Sequence, residues 1–156
     1  MADLEIRKLV HSDAHAFAPL LAENAQALKR GAPRRPDEVY AEQLIGDKTV
    51  ELIGAFDGSE LVGFAAFFDL PDLTSGRRIG SLEDIYVVPD HQSQGIGRAM
   101  VRKLAIIGTQ RDWLHIRWLV PARPIVDIGL VGLYERIGAP GDKATYHVEL
   151  AKLLAD

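Results

Sequence analysis

The sequence predicts a mixed α/β fold: one sheet with helices on both faces, in the order β-α-α-β-β-β-α-β-α-β. Three observations predict it. Short apolar runs of strand length recur between stretches of helical period. The Asp57-Gly58 pair joins two such runs as a hairpin. An apolar run also breaks at Pro89 into a glycine-containing loop that leads into a helical pattern. The 156 residues are 47% apolar, with no repeat, low-complexity tract or linker, so residues 1–156 read as a single domain.

Leu4, Ile6 and Leu9 alternate with polar neighbours and suggest a first strand. Ser12-Asp13 can cap a helix running to about 29, with Phe17, Leu20, Leu21 and Leu28 on its buried side. Gly31, Pro33 and Pro36 end it, and Asp37 caps a shorter helix that stops near Gly46. Strands follow over 50–56 and 61–68, then a loop over 69–78, then a strand over 79–88. Residues 98–110 are helical, with Met100, Val101, Leu104 and Ile107 on one side. A strand over 113–120 reads as buried on both faces. A helix ending at Gly138, with Pro140 just beyond, precedes a last strand over 144–150.

Bulk composition narrows the function. A net charge of -4 lacks the basic excess of a duplex binder, so no nucleic-acid partner is expected. The chain has no cysteine, which removes disulfides and thiolate metal sites and favours a cytoplasmic setting. The first ten residues carry Asp3 and Glu5 without an apolar core, unlike a signal peptide. No apolar run approaches the roughly 18 residues of a membrane span, and no membrane partner is expected. His11, His15, His91, His115 and His147 show no metal-ligand spacing, so no metal is assigned.

Chemistry concentrates in LEDIYVVPDHQSQGIGRAMVRKL, residues 82–104. A helix N-terminus offers unpaired N–H groups and about half a positive charge, which suits a phosphate. Glycine at Gly95 and Gly97 would let the backbone approach such an anion. Ser93, Gln94 and Arg98 could add donors. A dinucleotide fingerprint requires a third glycine where Met100 stands, and the Gly-Lys-Ser/Thr of a P-loop is absent. From the residues alone, a strand-to-helix turn without a ligand stays open beside the phosphate cradle.

This stretch resembles motif A of the GNAT N-acetyltransferase superfamily, in which a Gln/Arg-x-x-Gly-x-Gly/Ala loop binds the pyrophosphate of acetyl-coenzyme A. The matching residues are Gln92, Gly95 and Gly97. LVGFAAFFDL before it and GLYERIGAP after it, with Leu82-Glu83-Asp84 and Leu133-Tyr134, look like the spermidine/spermine (diamine) N-acetyltransferase branch. The resemblance spans about 61–140. It implies a mostly antiparallel mixed sheet of six to seven strands with helices on both faces, acetyl-coenzyme A as cosubstrate, and a homodimer.

It also implies roles. The 79–88 strand would be bulged and splayed from its neighbour, so that Ile85, Tyr86 and Val87 pair with the pantetheine arm like an added strand. Gln92, Ser93, Gln94, Gly95, Ile96, Gly97 and Arg98 would hold the pyrophosphate. Tyr134 is the expected acid for the departing thiolate, and Glu83 the expected aid to amine deprotonation. Glu83 and Asp84 adjoin in a strand, so their side chains are expected on opposite faces, with one of them at the acceptor. The family's Trp-Asn pair appears here as Val126-Asp127, which leaves Asp127 as a coenzyme contact or a helix cap. Gly129 and Gly132 would leave room for the coenzyme arm or for close helix packing.

The expected acceptor is a small-molecule primary amine, amino-acid-like or a di/polyamine, with Asp72 as an acidic loop residue that could meet it. Lys29, Arg30, Arg34 and Arg35 stand where polyamine-acetylating relatives carry acidic and tyrosine residues; they read either as a wall that favours an amine also bearing an anionic group or as a solvated charge run. The alternative function is a non-catalytic acyl-coenzyme A sensor.

Overall fold

A computed structural model describes residues 3–28, 37–121 and 131–155. Strand β1 (Leu4–Lys8) pairs antiparallel with β2 (Val50–Asp57). The hairpin at Asp57-Gly58 joins β2 to β3 (Glu60–Asp72), with Gly58 at φ +62° as such a turn demands. Strand β3 pairs antiparallel with β4 (Arg77–Val87), and β4 pairs parallel with β5 (Trp113–Trp118). The sheet order is β1-β2-β3-β4-β5.

Helices cover the faces. On one side lie α1 (Ala14–Ala27) and α2 (Glu38–Gly46), over a core that includes Leu9, Phe17, Leu52, Phe56, Phe64 and Tyr86. On the other lies α3 (Ile96–Gln110), over Ile53, Phe67, Leu82, Ile85, Met100 and Leu104. Apolar neighbours such as Leu52 and Ile53 therefore serve opposite cores, which explains why central strands read as continuous apolar runs. Phe17 of α1 meets Phe64 of β3 edge to face, with ring centroids 5.0 Å apart. The Trp113 ring lies where side chains at Gly80 and Gly108 would stand, so glycine at both lets β5 close on β4 and α3. Two further helices, α4 (Val131–Ile137) and α5 (Leu150–Ala155), follow.

Asp37 is the N-cap of α2, its carboxylate accepting from the Tyr40 N–H at 2.9 Å. Asp37→Ala is expected to cost about 1 kcal/mol of unfolding free energy. The denaturation midpoint should fall with no change in slope, and an unmoved midpoint would show that the cap contributes nothing.

The structure corrects several expectations. Asp13 does not cap α1. Its carboxylate turns back to accept from Arg7 at 2.8 and 3.0 Å and from the Val10 N–H at 2.7 Å, holding the chain as it leaves β1. The Arg7 hydrogen bond keeps this carboxyl below the usual aspartate range. The loop expected over 69–78 is mostly strand, because Asp69 through Asp72 pair with Gly80 through Arg77. Only a turn over 73–76 remains. Helix α3 starts at Ile96, two residues earlier than expected.

Among the described residues the sheet has five strands, not six to seven. The 144–150 segment expected as the last strand is unpaired until it enters α5, with Tyr146 91% and Val148 63% exposed. Nor is the 113–120 strand buried on both faces. Among the described residues β5 is the edge strand and stops at Trp118, and Leu114, Leu119 and Val120 are exposed. Lys29, Arg30, Arg34, Arg35, Val126, Asp127 and Gly129 lie outside the described residues.

Candidate active site

Two irregularities in β4 open the site. Ala66 pairs with Asp84 and Phe67 with Leu82, so Glu83 is an extra residue, a bulge. On the other edge, pairing with β5 ends at Leu82 opposite Trp118, and the Leu119 N–H donates to the Leu82 carbonyl at 3.0 Å. Beyond that point β5 no longer follows β4. The edge of residues 85–87 facing away from β3 has no strand partner among the described residues. An open edge of this kind presents backbone donors and acceptors that an extended ligand can satisfy.

A cleft of about 230 Å³ lies at this split. It is lined by Asn24 and Leu28 from α1, Glu83, Asp84 and Ile85 from β4, residues 118–121 after the split, and Tyr134 from α4. The bulge overturns the expected alternation of Glu83 and Asp84. Leu82 and Ile85, three apart, both enter the core beneath α3, and both carboxylate residues line the cleft. An extra residue in a strand shifts its two-residue period by one, which is why adjacent side chains end on one side.

Each carboxylate has its own partner. Ser81 Oγ donates to Glu83 Oε2 at 2.6 Å, while Arg117 donates to Ser81 Oγ from Nε at 3.3 Å and Nη2 at 3.0 Å. Asn24 Nδ2 donates to Asp84 Oδ1 at 3.5 Å, a long bond. Asn24 is only 7% exposed, and its Oδ1 is buried with no hydrogen-bond partner among the described residues. Below them, the Tyr86 hydroxyl donates to Glu23 of α1 at 3.2 Å. Burial first, then the charge and hydrogen bond of Glu23, push this phenol up to about 12. Tyr86 therefore keeps its proton and ties β4 to α1.

Tyr134 stands across the cleft, half-buried, its ring edge-on to Trp118 with centroids 5.7 Å apart. An aromatic contact of this kind holds the ring without consuming the hydroxyl.

The glycine loop follows β4 directly. Gln92 Nε2 donates to the Val87 carbonyl at 2.9 Å, so this side chain is spent on the end of the open strand. Ser93 and Gly95 take the left-handed backbone at φ +62° and +85°, and Gly95 is the N-cap of α3. Nothing lies within 4 Å of where a Gly95 side chain would stand. The first helical bond inside α3 runs from the Ala99 N–H to the Gly95 carbonyl, so the preceding N–H groups of the first turn have no intrahelical acceptor. Ser93, Gln94 and Arg98 are exposed around them, and Ile96 and Gly97 are buried. Open space before unpaired N–H groups at a helix start fits an anionic group.

Asp72 is not brought to the cleft. Its carboxylate accepts from the Ser75 N–H at 3.3 Å, in the turn between β3 and β4. Sequence reasoning missed Asn24, Ser81, Arg117 and Trp118. Asn24 had a signal, since it continues the buried Phe17–Leu20 side of α1 as a polar residue. The others depend on a strand pairing that no local pattern displays. Among the described residues no group of three or more His, Asp or Glu is placed to hold a metal ion, and no helix is long and apolar enough to cross a membrane.

A sheet with a bulged strand, a parallel neighbour that diverges from it, and a glycine-opened helix at the split is the arrangement that the resemblance to motif A implied for an acetyltransferase fold. A model of the acetyltransferase (GNAT) family matches residues 17–139, and the chain belongs to that family. It is similar to a solved ribosomal-protein-alanine N-acetyltransferase from Brucella melitensis biovar Abortus 2308. That match has 39% identity over 94% of this chain and 99% of that one, with a TM-score of 0.83. Thialysine N-epsilon-acetyltransferase of Mus musculus is 33% identical over 67 residues, 43% of this chain. The matched part is 39% of the mouse protein's length. A solved aminoglycoside acetyltransferase, HMB0005 from an uncultured soil metagenomic sample, shares the fold at a TM-score of 0.75 with 22% identity. It covers 94% of this chain and 98% of its own.

Proposed function

We propose that the protein is an N-acetyltransferase that transfers the acetyl group of acetyl-coenzyme A to a primary amine of a small molecule by direct attack in a ternary complex. The observation that carries this reading is the split between β4 and β5, which opens at the bulge and leads to the glycine loop at the start of α3.

In this reading the backbone of Ile85, Tyr86 and Val87 pairs with the pantetheine arm. The N–H groups of Gly95, Ile96, Gly97 and Arg98 hold the pyrophosphate, with Ser93 and Gln94 at its rim. Gln92 acts indirectly, by fixing the loop to Val87. Asp127, outside the described residues, is a further coenzyme contact in this reading. Acetyl-coenzyme A, when bound, supplies an activated acyl group as a thioester. Asp84 and Asn24 offer acceptor atoms to an ammonium, Glu83 takes its proton directly or through water, and Tyr134 holds a proton for the departing sulfur.

The acceptor is amino-acid-like in this reading, because Lys29, Arg30, Arg34 and Arg35 disfavour a polycation. A second reading, an alanine of a protein as acceptor, is favoured by the 39% identical ribosomal-protein-alanine N-acetyltransferase. The carboxylate pair in the cleft favours catalysis over the sensor alternative. The cysteine-free composition supports a cytoplasmic enzyme. The exposed apolar residues of the 144–155 segment suit a homodimer that covers them.

Free-thiol release from acetyl-coenzyme A tests this with a panel of L-lysine, spermine and a peptide with N-terminal alanine. Release with L-lysine and little with spermine is expected. Release with the peptide alone selects the second reading. No release with any amine, together with acetyl-coenzyme A stabilisation of the fold, selects the sensor.

A further inference from the structure

Ser81 and Arg117 belong to no part of the machinery described so far, yet they reach Glu83. Ser81 is fully buried in β4, two residues before Glu83, and its register partner across the parallel β4–β5 pair is Arg117. Its hydroxyl lies 2.6 Å from Glu83 Oε2 and 3.0 Å from Arg117 Nη2. The direction of these bonds follows from chemistry alone. A guanidinium only donates, so the serine oxygen accepts from Arg117 and its single proton goes to the carboxylate. Glu83 Oε2 is thereby held by a donor that is itself fixed.

We propose that Ser81, itself fixed by Arg117, is a positioning residue that aims the Glu83 carboxylate at the acceptor amine. The need for it comes from the bulge. An extra residue in a strand is unpaired and poorly held by the ladder, so a carboxylate placed there lacks the orientation that regular pairing would impose. A short hydrogen bond to a carboxylate, from a hydroxyl polarised by a cation, restores it. The pair also joins the two diverging strands at the last rungs before they part, Ser81 opposite Arg117 and Leu82 opposite Trp118. The tether therefore sits at the apex of the split.

This rests on the reading of Glu83 as the group that handles the amine's proton, and the test separates the two. In Ser81→Ala, kcat with L-lysine is expected to fall about tenfold to a hundredfold, the cost of a misplaced reacting group. The KM for acetyl-coenzyme A should stay within about twofold, since the proposed cofactor grip lies further along β4 and in the loop. Arg117→Met, made from the exposed end of the tether, should move kcat in the same direction.

The double variant Ser81→Ala/Glu83→Gln should be no slower than Glu83→Gln, because a residue acting only through Glu83 has nothing left to orient. A purely structural serine would instead add its loss to that of Glu83→Gln, and additivity overturns the proposal. So does unchanged kcat in Ser81→Ala beside a slow Glu83→Gln. Unchanged kcat in Glu83→Gln overturns the role of Glu83 and, with it, the positioning. A readout free of turnover is the carbon-13 resonance of the Glu83 carboxyl, assigned by its loss in Glu83→Gln. It should move in both Ser81→Ala and Arg117→Met at fixed pH. A resonance unmoved in both overturns the tether even if no amine on the panel reacts.

Discussion

Tyr134→Phe is expected to lower kcat by about two orders of magnitude, the ordinary scale for losing one general acid. Binding of acetyl-coenzyme A should survive, because the substitution deletes only an oxygen. The ring contact with Trp118, at 5.7 Å between centroids, is unaffected by that deletion, so α4 keeps its seat against the cleft. Stopped-time thiol release would give kcat, and thermal-shift titration would give the dissociation constant. An unchanged kcat would remove Tyr134 from the chemistry and leave it a packing residue. A loss confined to KM would show that the hydroxyl binds substrate and handles no proton.

Gly95→Val should weaken acetyl-coenzyme A binding by about a hundredfold. Hydrogen bonds to a charged group are worth about 1.5–3 kcal/mol each, so losing one or two of them accounts for that factor. Strain complicates this variant, because Gly95 sits at φ +85°, where a side chain is disfavoured. A bulky residue held there costs about 1–3 kcal/mol of stability.

Gly58 provides the control. It has φ +62° and, like Gly95, nothing within 4 Å of where its side chain would stand, but it lies in the β2–β3 hairpin. Both valine variants should lose stability, and only Gly95→Val should lose the ligand. Equal binding by the two variants would show that the space before α3 is an empty turn.

Much of the scaffold was legible because it is local. Asp57-Gly58 announced its hairpin by a backbone requirement that few residue pairs meet, and Asp37 announced the start of α2 by its side-chain acceptor. The loop from Gln92 to Gly97 was readable for the same reason, since a helix start with absent side chains is defined within a few residues. Tyr134 and Glu83 were selected through resemblance, and the structure places both at one cleft. Asp72 showed the limit of such reading. A carboxylate in a short polar stretch looks available until its own turn consumes it.

The sequence by itself determined the family, the element order through α4 and the position of the glycine loop, because motifs, periodicity and turn chemistry act over neighbouring residues. Tertiary structure alone decided which strands part company and where. That brought Asp84 into the same cleft as Glu83 and set Ser81 against Arg117. Among the described residues it also left 144–149 outside the sheet. The reason is physical: a bulge and the end of a strand pairing belong to two chains of backbone at once, so neither segment carries the information alone.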